Sequence, residues 1–250
     1  MSNDLKQSLV NRLKRVGAYG ARVADPHVGY EHALPGRHPL QLWEDCRAVV
    51  VFGVPVSPRT NNLYLGPYAP WQGDREIGPV PQDIQSDDFA MHRLSGLFTA
   101  SVMLKGLAFL QAQGHQVSFL VPQLKLSAFE AGLGVYGRSG VILHPVLGNR
   151  MSLGAIMTDA LLQPDGRLEG YDPCRDCERC IKACPARAFD ATKVYPHSFS
   201  RDKCTAKRAE IAAKGLYCHN CFAVCPAGTL EDESLLCIRE ATSLFKRSAG

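Results

Sequence analysis

Eight of the ten cysteines in this 250-residue chain fall between residues 174 and 225, and no other feature restricts the fold as tightly. The first run reads Cys174-x2-Cys177-x2-Cys180-x3-Cys184-Pro185. The second is Cys204, followed by Cys218-x2-Cys221-x3-Cys225-Pro226. Two-residue spacers let one loop wrap three corners of a four-iron cluster, and in such paired runs the fourth cysteine ligates the other cluster. The spacing therefore predicts two [4Fe–4S] sites, one held by Cys174, Cys177, Cys180 and Cys225, the other by Cys184, Cys204, Cys218 and Cys221. Zinc sites also use Cys-x2-Cys pairs, but they leave the third cysteine, the fourth and the proline unexplained in both runs. A disulfide framework belongs to small domains in oxidising compartments. Cys46 and Cys237 are left over and read as small buried hydrophobes.

The opening residues Met1-Ser2-Asn3-Asp4-Leu5-Lys6 hold no apolar signal core. The apolar stretch Leu94 to Ala112 is interrupted by Lys105, so it reads as a core helix and not a membrane span. With free thiolate ligands, these features predict a reducing cytoplasm. The net charge of +4 is uneven, since residues 175–215 carry ten Lys or Arg against five Asp or Glu. Cations beside an anionic cluster favour its reduction, and a basic collar suits an acidic electron donor of the flavodoxin or ferredoxin type. An ordinary solvated surface would also carry such charges. So few do not imply a nucleic-acid partner.

Before the cysteines, the pattern alternates between helices and strands. Residues 4–16 space Leu5, Leu9, Leu13 and Val16 as an amphipathic helix. Ala48 to Val54 is an unbroken apolar run that predicts a buried strand. Residues 55–86 are broken by prolines and glycines but carry Asn61, Asn62, Tyr64, Tyr68 and Trp71. A loop that long is usually functional or disordered, and these side chains suit a lid or ligand wall. A helix is expected over 88–113 and a short one over 126–131, with strands at 116–121, 141–143 and 153–158. Residues 163–173 read as a linker, which divides the chain into domains 1–163 and 164–250.

Between the short helix and the next strand lies Ala131-Gly132-Leu133-Gly134-Val135-Tyr136-Gly137-Arg138-Ser139-Gly140. A dinucleotide fingerprint follows a strand and opens a helix, so this order excludes that fold. Glycines here serve close backbone approach or left-handed turns. The whole stretch Ala131 to Asp165, followed by the cysteine module with its isolated Cys204, resembles epoxyqueuosine reductase and, more broadly, the superfamily shared with the corrinoid reductive dehalogenases. The resemblance is closest over 128–228 and looser before.

The resemblance implies an α/β (α+β, nitroreductase-like) cobalamin domain followed by a bacterial-type two-[4Fe–4S] ferredoxin module. It implies that Gly132, Gly134, Gly137, Arg138, Gly154 and Thr158 line a corrinoid, with the clusters feeding electrons to cobalt for reduction of a small substrate. Such a site needs a wide cavity and an adjacent one-electron relay. The chain departs from the queuosine enzymes in three respects. It stops soon after the second cluster, without their helical-repeat region, which argues against tRNA. Residues 117–123 lack the expected aspartate proton donor. The glycine loop carries Arg138 where lysine is usual. It also lacks the twin-arginine leader usual for respiratory dehalogenases. Replacement proton donors must reach the substrate. Asp88 and His92, with Asp87, come first, from the segment Asp87-Asp88-Phe89-x2-His92; Tyr64, Tyr68, Tyr136 and His144 follow. An Asp at a helix start more often caps it, and loop tyrosines more often cover a core. Two other functions fit the same residues: an electron-transfer protein whose α/β domain binds FMN or nothing, and a corrinoid carrier or reductive activator.

Overall fold

The apolar run at Ala48 occupies the middle of the sheet because both of its faces are covered. In the computed structural model, which describes residues 2–55, 88–193, 198–213, 218 and 220–229, the elements follow in order. They are α1 (Ser2–Arg15), β1 (Gly20–Ala24), α2 (Pro39–Leu42), β2 (Ala48–Pro55), α3 (Asp88–Ala112), β3 (Val117–Ser118), α4 (Leu124–Glu130), β4 (Val135–Tyr136), β5 (Ile142–Leu143), β6 (Met151–Thr158), α5 (Arg179–Lys182), α6 (Arg201–Ala212) and α7 (Asn220–Ala223). The proline-rich segment with Tyr64, Tyr68 and Asp87, and the terminal stretch with Cys237, lie outside the described residues.

The main sheet has the order β1-β2-β6-β3, and its pairs are antiparallel. Side chains alternate across a strand, so Val50, Phe52 and Val54 share one face and Val49 and Val51 the other. Register sets Val50 opposite Ile156 and Phe52 opposite Gly154. The Phe52 face meets Leu9 and Leu13 of α1 and Val102, Leu107 and Leu110 of α3 in one buried cluster. Helix α4 packs on β2, β6 and β1. Two-sided burial explains the continuous apolar run without a parallel sheet. At Gly106 of α3 a Cβ would lie 2.5 Å from Ile156 Cδ1 and 2.9 Å from Leu13 Cδ2, so glycine permits the close approach of helix and sheet.

One expected element is shorter, and one strand is additional. The strand foreseen over 116–121 is only Val117–Ser118; Phe119, Leu120 and Val121 are exposed and unpaired in the sheet. Strand β1 had not been anticipated, because five residues with two alanines carry little pattern.

The chain divides into two compact units, each assembled from several separate stretches of sequence. The first comprises residues 1–55, 95–135 and 151–171; the second includes 136–150 and everything from 172 onward. Residues 163–171 of the expected linker belong to the first unit for a physical reason. The Val23 carbonyl accepts from Asp165 N at 2.9 Å, Val23 N donates to Asp165 Oδ2 at 2.8 Å, and Lys6 Nζ reaches Asp165 Oδ1 at 2.7 Å. Arg167 then pairs through both Nε and an Nη with the buried Glu130 carboxylate, at 2.8 and 2.9 Å. Among the described residues, no helix is long and apolar enough to cross a membrane.

Candidate functional site

The cysteines of the two close runs sit on turns, irregular backbone and one-turn helices, while Cys204 is carried on the longer α6. Cys180 lies in α5 and Cys221 in α7. The two helices pack together, and Asn220 Nδ2 donates to the Ala183 carbonyl at 3.1 Å. Cys177 N donates to the Cys174 carbonyl at 3.2 Å, folding the start of the first run into a turn. After Cys184-Pro185 the chain turns through Arg187, the only non-glycine residue with positive φ (46°) among those described. This turn brings Ala188 N to the Cys184 sulfur at 3.4 Å. The bridge between Phe189 and Phe199 then returns the chain, and Ser200 caps α6 by accepting from Lys203 N. Cys204 is carried on the first turn of that helix.

Electrostatic contact sorts these thiols into two sets. Burial pushes the Cys180 pKa up to about 11, helped by Cys174, Cys225 and Cys177. Cys225 is raised by burial and then by Cys174 and Cys177. Burial raises Cys218, with further contributions from Cys184 and Cys204. Cys221 is pushed up to about 12 by burial and by Cys218, Cys184, Cys180 and Cys204. The sets are thus Cys174, Cys177, Cys180 with Cys225, and Cys184, Cys204, Cys218 with Cys221, with Cys180 also raising Cys221 across them. Arginines oppose these rises: Arg138 at Cys174, Arg150 at Cys225 and Arg208 at Cys218. No disulfide joins the described cysteines. Among the described residues, no three His, Cys, Asp or Glu side chains converge as tightly as a single metal ion demands. The donor set is eight soft thiols in two groups of four, with arginines beside both, and it fits two iron–sulfur clusters.

The glycine-rich segment is divided between the units. Gly132, in the first unit, has φ +69° and closes α4; a Cβ there would collide with the Gly166 carbonyl. Gly134 is buried. In the second unit, Gly137 N donates to the Val141 carbonyl at 2.8 Å, and its Cα faces Leu143 with no room for a methyl group. Arg138 Nη2 donates to the Arg175 carbonyl at 3.2 Å, and its Nη1 stands 3.9 Å from Glu178 Oε1. Gly154 packs against the Phe52 ring inside the sheet. The Thr158 hydroxyl is fully buried, donating to the Gln116 carbonyl and accepting from Ala160 N. Asp88 and His92 lie in the first turns of α3. His144 Nδ1 accepts from Val146 N and Leu147 N, at 3.0 and 3.1 Å. Tyr136 is half-buried in β4. A shallow cleft of about 770 Å³ in the first unit is lined by Phe109, Gln113, His115 and Asp159 among others, and none of the expected site residues lines it.

Several supports of the cysteine module gave no signal in the sequence. Buried Asn149 donates through Nδ2 to the Phe222 carbonyl at 2.7 Å. Thr229 N donates to the Val146 carbonyl at 2.8 Å, and Gly148 faces the Ala227 backbone. Only long-range contact reveals these roles.

No family model matches the chain. Over 165 residues it is 28% identical to a tetrachloroethene reductive dehalogenase of Desulfitobacterium hafniense, covering 59% of this chain and 29% of that protein. Over 111 residues it is 31% identical to epoxyqueuosine reductase of Staphylococcus aureus, covering 40% of this chain and 28% of that protein. The chain thus spans less than a third of the length of either curated relative. Epoxyqueuosine reductase from Bacillus subtilis shares the fold with a TM-score of 0.61 at 19% identity, over 93% of this chain and 67% of that one. A reductive dehalogenase whose structure suggests a mechanism for B12-dependent dehalogenation gives 0.65 at 20% identity, over 90% and 32%.

Proposed function

We propose that this chain, which belongs to the superfamily of epoxyqueuosine reductases and reductive dehalogenases, is an iron–sulfur oxidoreductase that delivers electrons through two [4Fe–4S] clusters to a bound cobalamin. The observation that carries the reading is the separation of eight thiols into two sets of four within one unit. Cys174, Cys177, Cys180 and Cys225 would hold one cluster; Cys184, Cys204, Cys218 and Cys221 would hold the other. Thiols shed their protons on binding iron, so the raised pKa values of Cys174, Cys180, Cys218, Cys221 and Cys225 make loading favoured by higher pH. Ala188 N–H, directed at the Cys184 sulfur, and the neighbouring arginines stabilise the added negative charge of reduction.

Cobalamin would supply the substrate-reducing chemistry. Gly134, Gly137 and Arg138 are this chain's candidates for close approach to it, and Asp88 and His92 its candidate proton donors. The substrate is a small molecule, and an external flavodoxin- or ferredoxin-type protein docks on the basic surface of the second unit. Epoxyqueuosine reductase is known with a tRNA stem loop; for this chain we assign no tRNA role.

One observation favours a second reading, an electron-transfer protein without a corrinoid, or with FMN. Gly132, Gly154 and Thr158 are each taken up by packing or hydrogen bonds within the first unit. Electron paramagnetic resonance separates the two. The protein, reconstituted anaerobically, incubated with cobalamin and then reduced, should give a base-off Co(II) signal beside reduced-cluster signals. Cluster signals with free, base-on cobalamin would sink the corrinoid reading and leave the electron carrier.

A further inference from the structure

Arg138 is held where neither its sequence context nor the expected cofactor role requires it. It projects from the turn between β4 and β5, whose geometry is closed by Gly137 N to the Val141 carbonyl and Gly140 N to the Gly137 carbonyl, both at 2.8 Å. Its attachments all fall on the five residues that open the first cysteine run. The backbone N–H of Arg138 is hydrogen-bonded to the Cys174 sulfur. Its guanidinium donates to the Arg175 carbonyl at 3.2 Å and stands 3.9 Å from Glu178. Seventy per cent of the side chain is withdrawn from solvent, its exposure being 30%, so its charge is less screened than a free surface arginine's.

We propose that Arg138 is a positioning residue for the first iron–sulfur site: it anchors the Cys174 loop to the glycine-rich turn and favours that site's reduced state. The inference rests on the two-cluster reading above. Reduction adds one electron to a cluster already carrying four thiolates, and Arg138 stays cationic in both states. A fixed positive charge and a backbone N–H at one ligand sulfur both stabilise the extra electron. The planar, forked guanidinium holds the Arg175 carbonyl through one Nη while the other faces Glu178; lysine would keep the charge but concentrate it at a single nitrogen. Glu178 tempers the effect, and it is itself shared with Lys182 Nζ at 3.4 Å.

The test is a dithionite titration of the full reconstituted chain, followed by electron paramagnetic resonance and by iron and sulfide content. Arg138→Gln should lower one of the two midpoints by about tenfold in the reduction equilibrium, roughly 59 mV for one electron, and leave the other in place. Arg138→Lys should recover most of that shift. Glu178→Gln should move the same midpoint upward. Full iron content with both midpoints unmoved in Arg138→Gln, or both moved equally, overturns the inference alone. Wild-type protein that takes up no pair of clusters overturns the two-cluster reading and the inference with it. Should Arg138→Gln lose iron, Glu178→Gln decides: an upward shift of one midpoint supports the role, and no shift ends it.

Discussion

Around the sheet, fifteen buried apolar residues form one continuous cluster, from Leu9 of α1 to Leu162 beyond β6. Around the cysteines, the buried apolar side chains among the described residues are Ile142, Leu143, Leu147, Ala188 and Val224, with Cys180 beside them. The first unit coheres by removing carbon from water. Among its described residues, the second is held by turns, caps and single hydrogen bonds such as Asn149 to Phe222 and Asn220 to Ala183. On the two-cluster reading proposed above, iron binding would add directly to the folding free energy of that second unit.

The sharpest way to break the contrast is to remove iron. Chelation of the reconstituted protein should strip hydrogen-exchange protection from residues 172–229 while β2 and β6 keep theirs. Equal loss in both units would end the distinction. Next in size, Phe52→Ala should cost the first unit about 3–5 kcal/mol, because the ring is fully buried and packs on Gly154. Iron per folded molecule should stay at the wild-type value, read from a urea melt paired with iron analysis.

A smaller effect sharpens the same comparison through pH. Burial pushes the lone Cys46 thiol of the first unit from 9.0 up to about 11. Below pH 9 the thiol is protonated whether folded or unfolded, and stability is flat. Between 9 and about 11 the unfolded chain has released this proton and the folded chain has not, so stability falls with rising pH. The loss contributed by this thiol reaches about 2–3 kcal/mol by pH 11. The urea midpoint of the loaded protein should therefore fall over this range, and Cys46→Ala should flatten the fall.

The cysteine runs were legible as a pattern because cluster chemistry fixes the spacing of its ligands, and the proposed pairing draws support from the electrostatic influence of the thiols on one another. Helices α1 and α3 and strands β2 and β6 were legible because long periodic or unbroken runs announce them. The limits of β3 were not, since Gln116-Val117-Ser118-Phe119-Leu120-Val121 has strand composition throughout, yet only Val117 and Ser118 find partners on β6. Nor did the pattern disclose that 136–150 joins the cysteine unit, because Val146, Gly148 and Asn149 meet Thr229, Ala227 and Phe222 some seventy to eighty residues later. The glycines show the same gap. Sequence alone marks Gly132 and Gly154 as places where something comes close, but only the fold names the Gly166 carbonyl and the Phe52 ring.

The clasp at Asp165 has a consequence for how the molecule is made. Strand β1 lies at an edge of the sheet, and edges invite pairing with other chains. Its cover, Asp165 on Val23 and on Lys6, comes from a residue more than 140 positions later. During synthesis the amino-terminal strand therefore stays unguarded until most of the chain has emerged. The eight cysteines proposed to hold the clusters leave the ribosome only after that guard has arrived. Birth order thus makes the apolar scaffold available before the first iron atom has a place to bind.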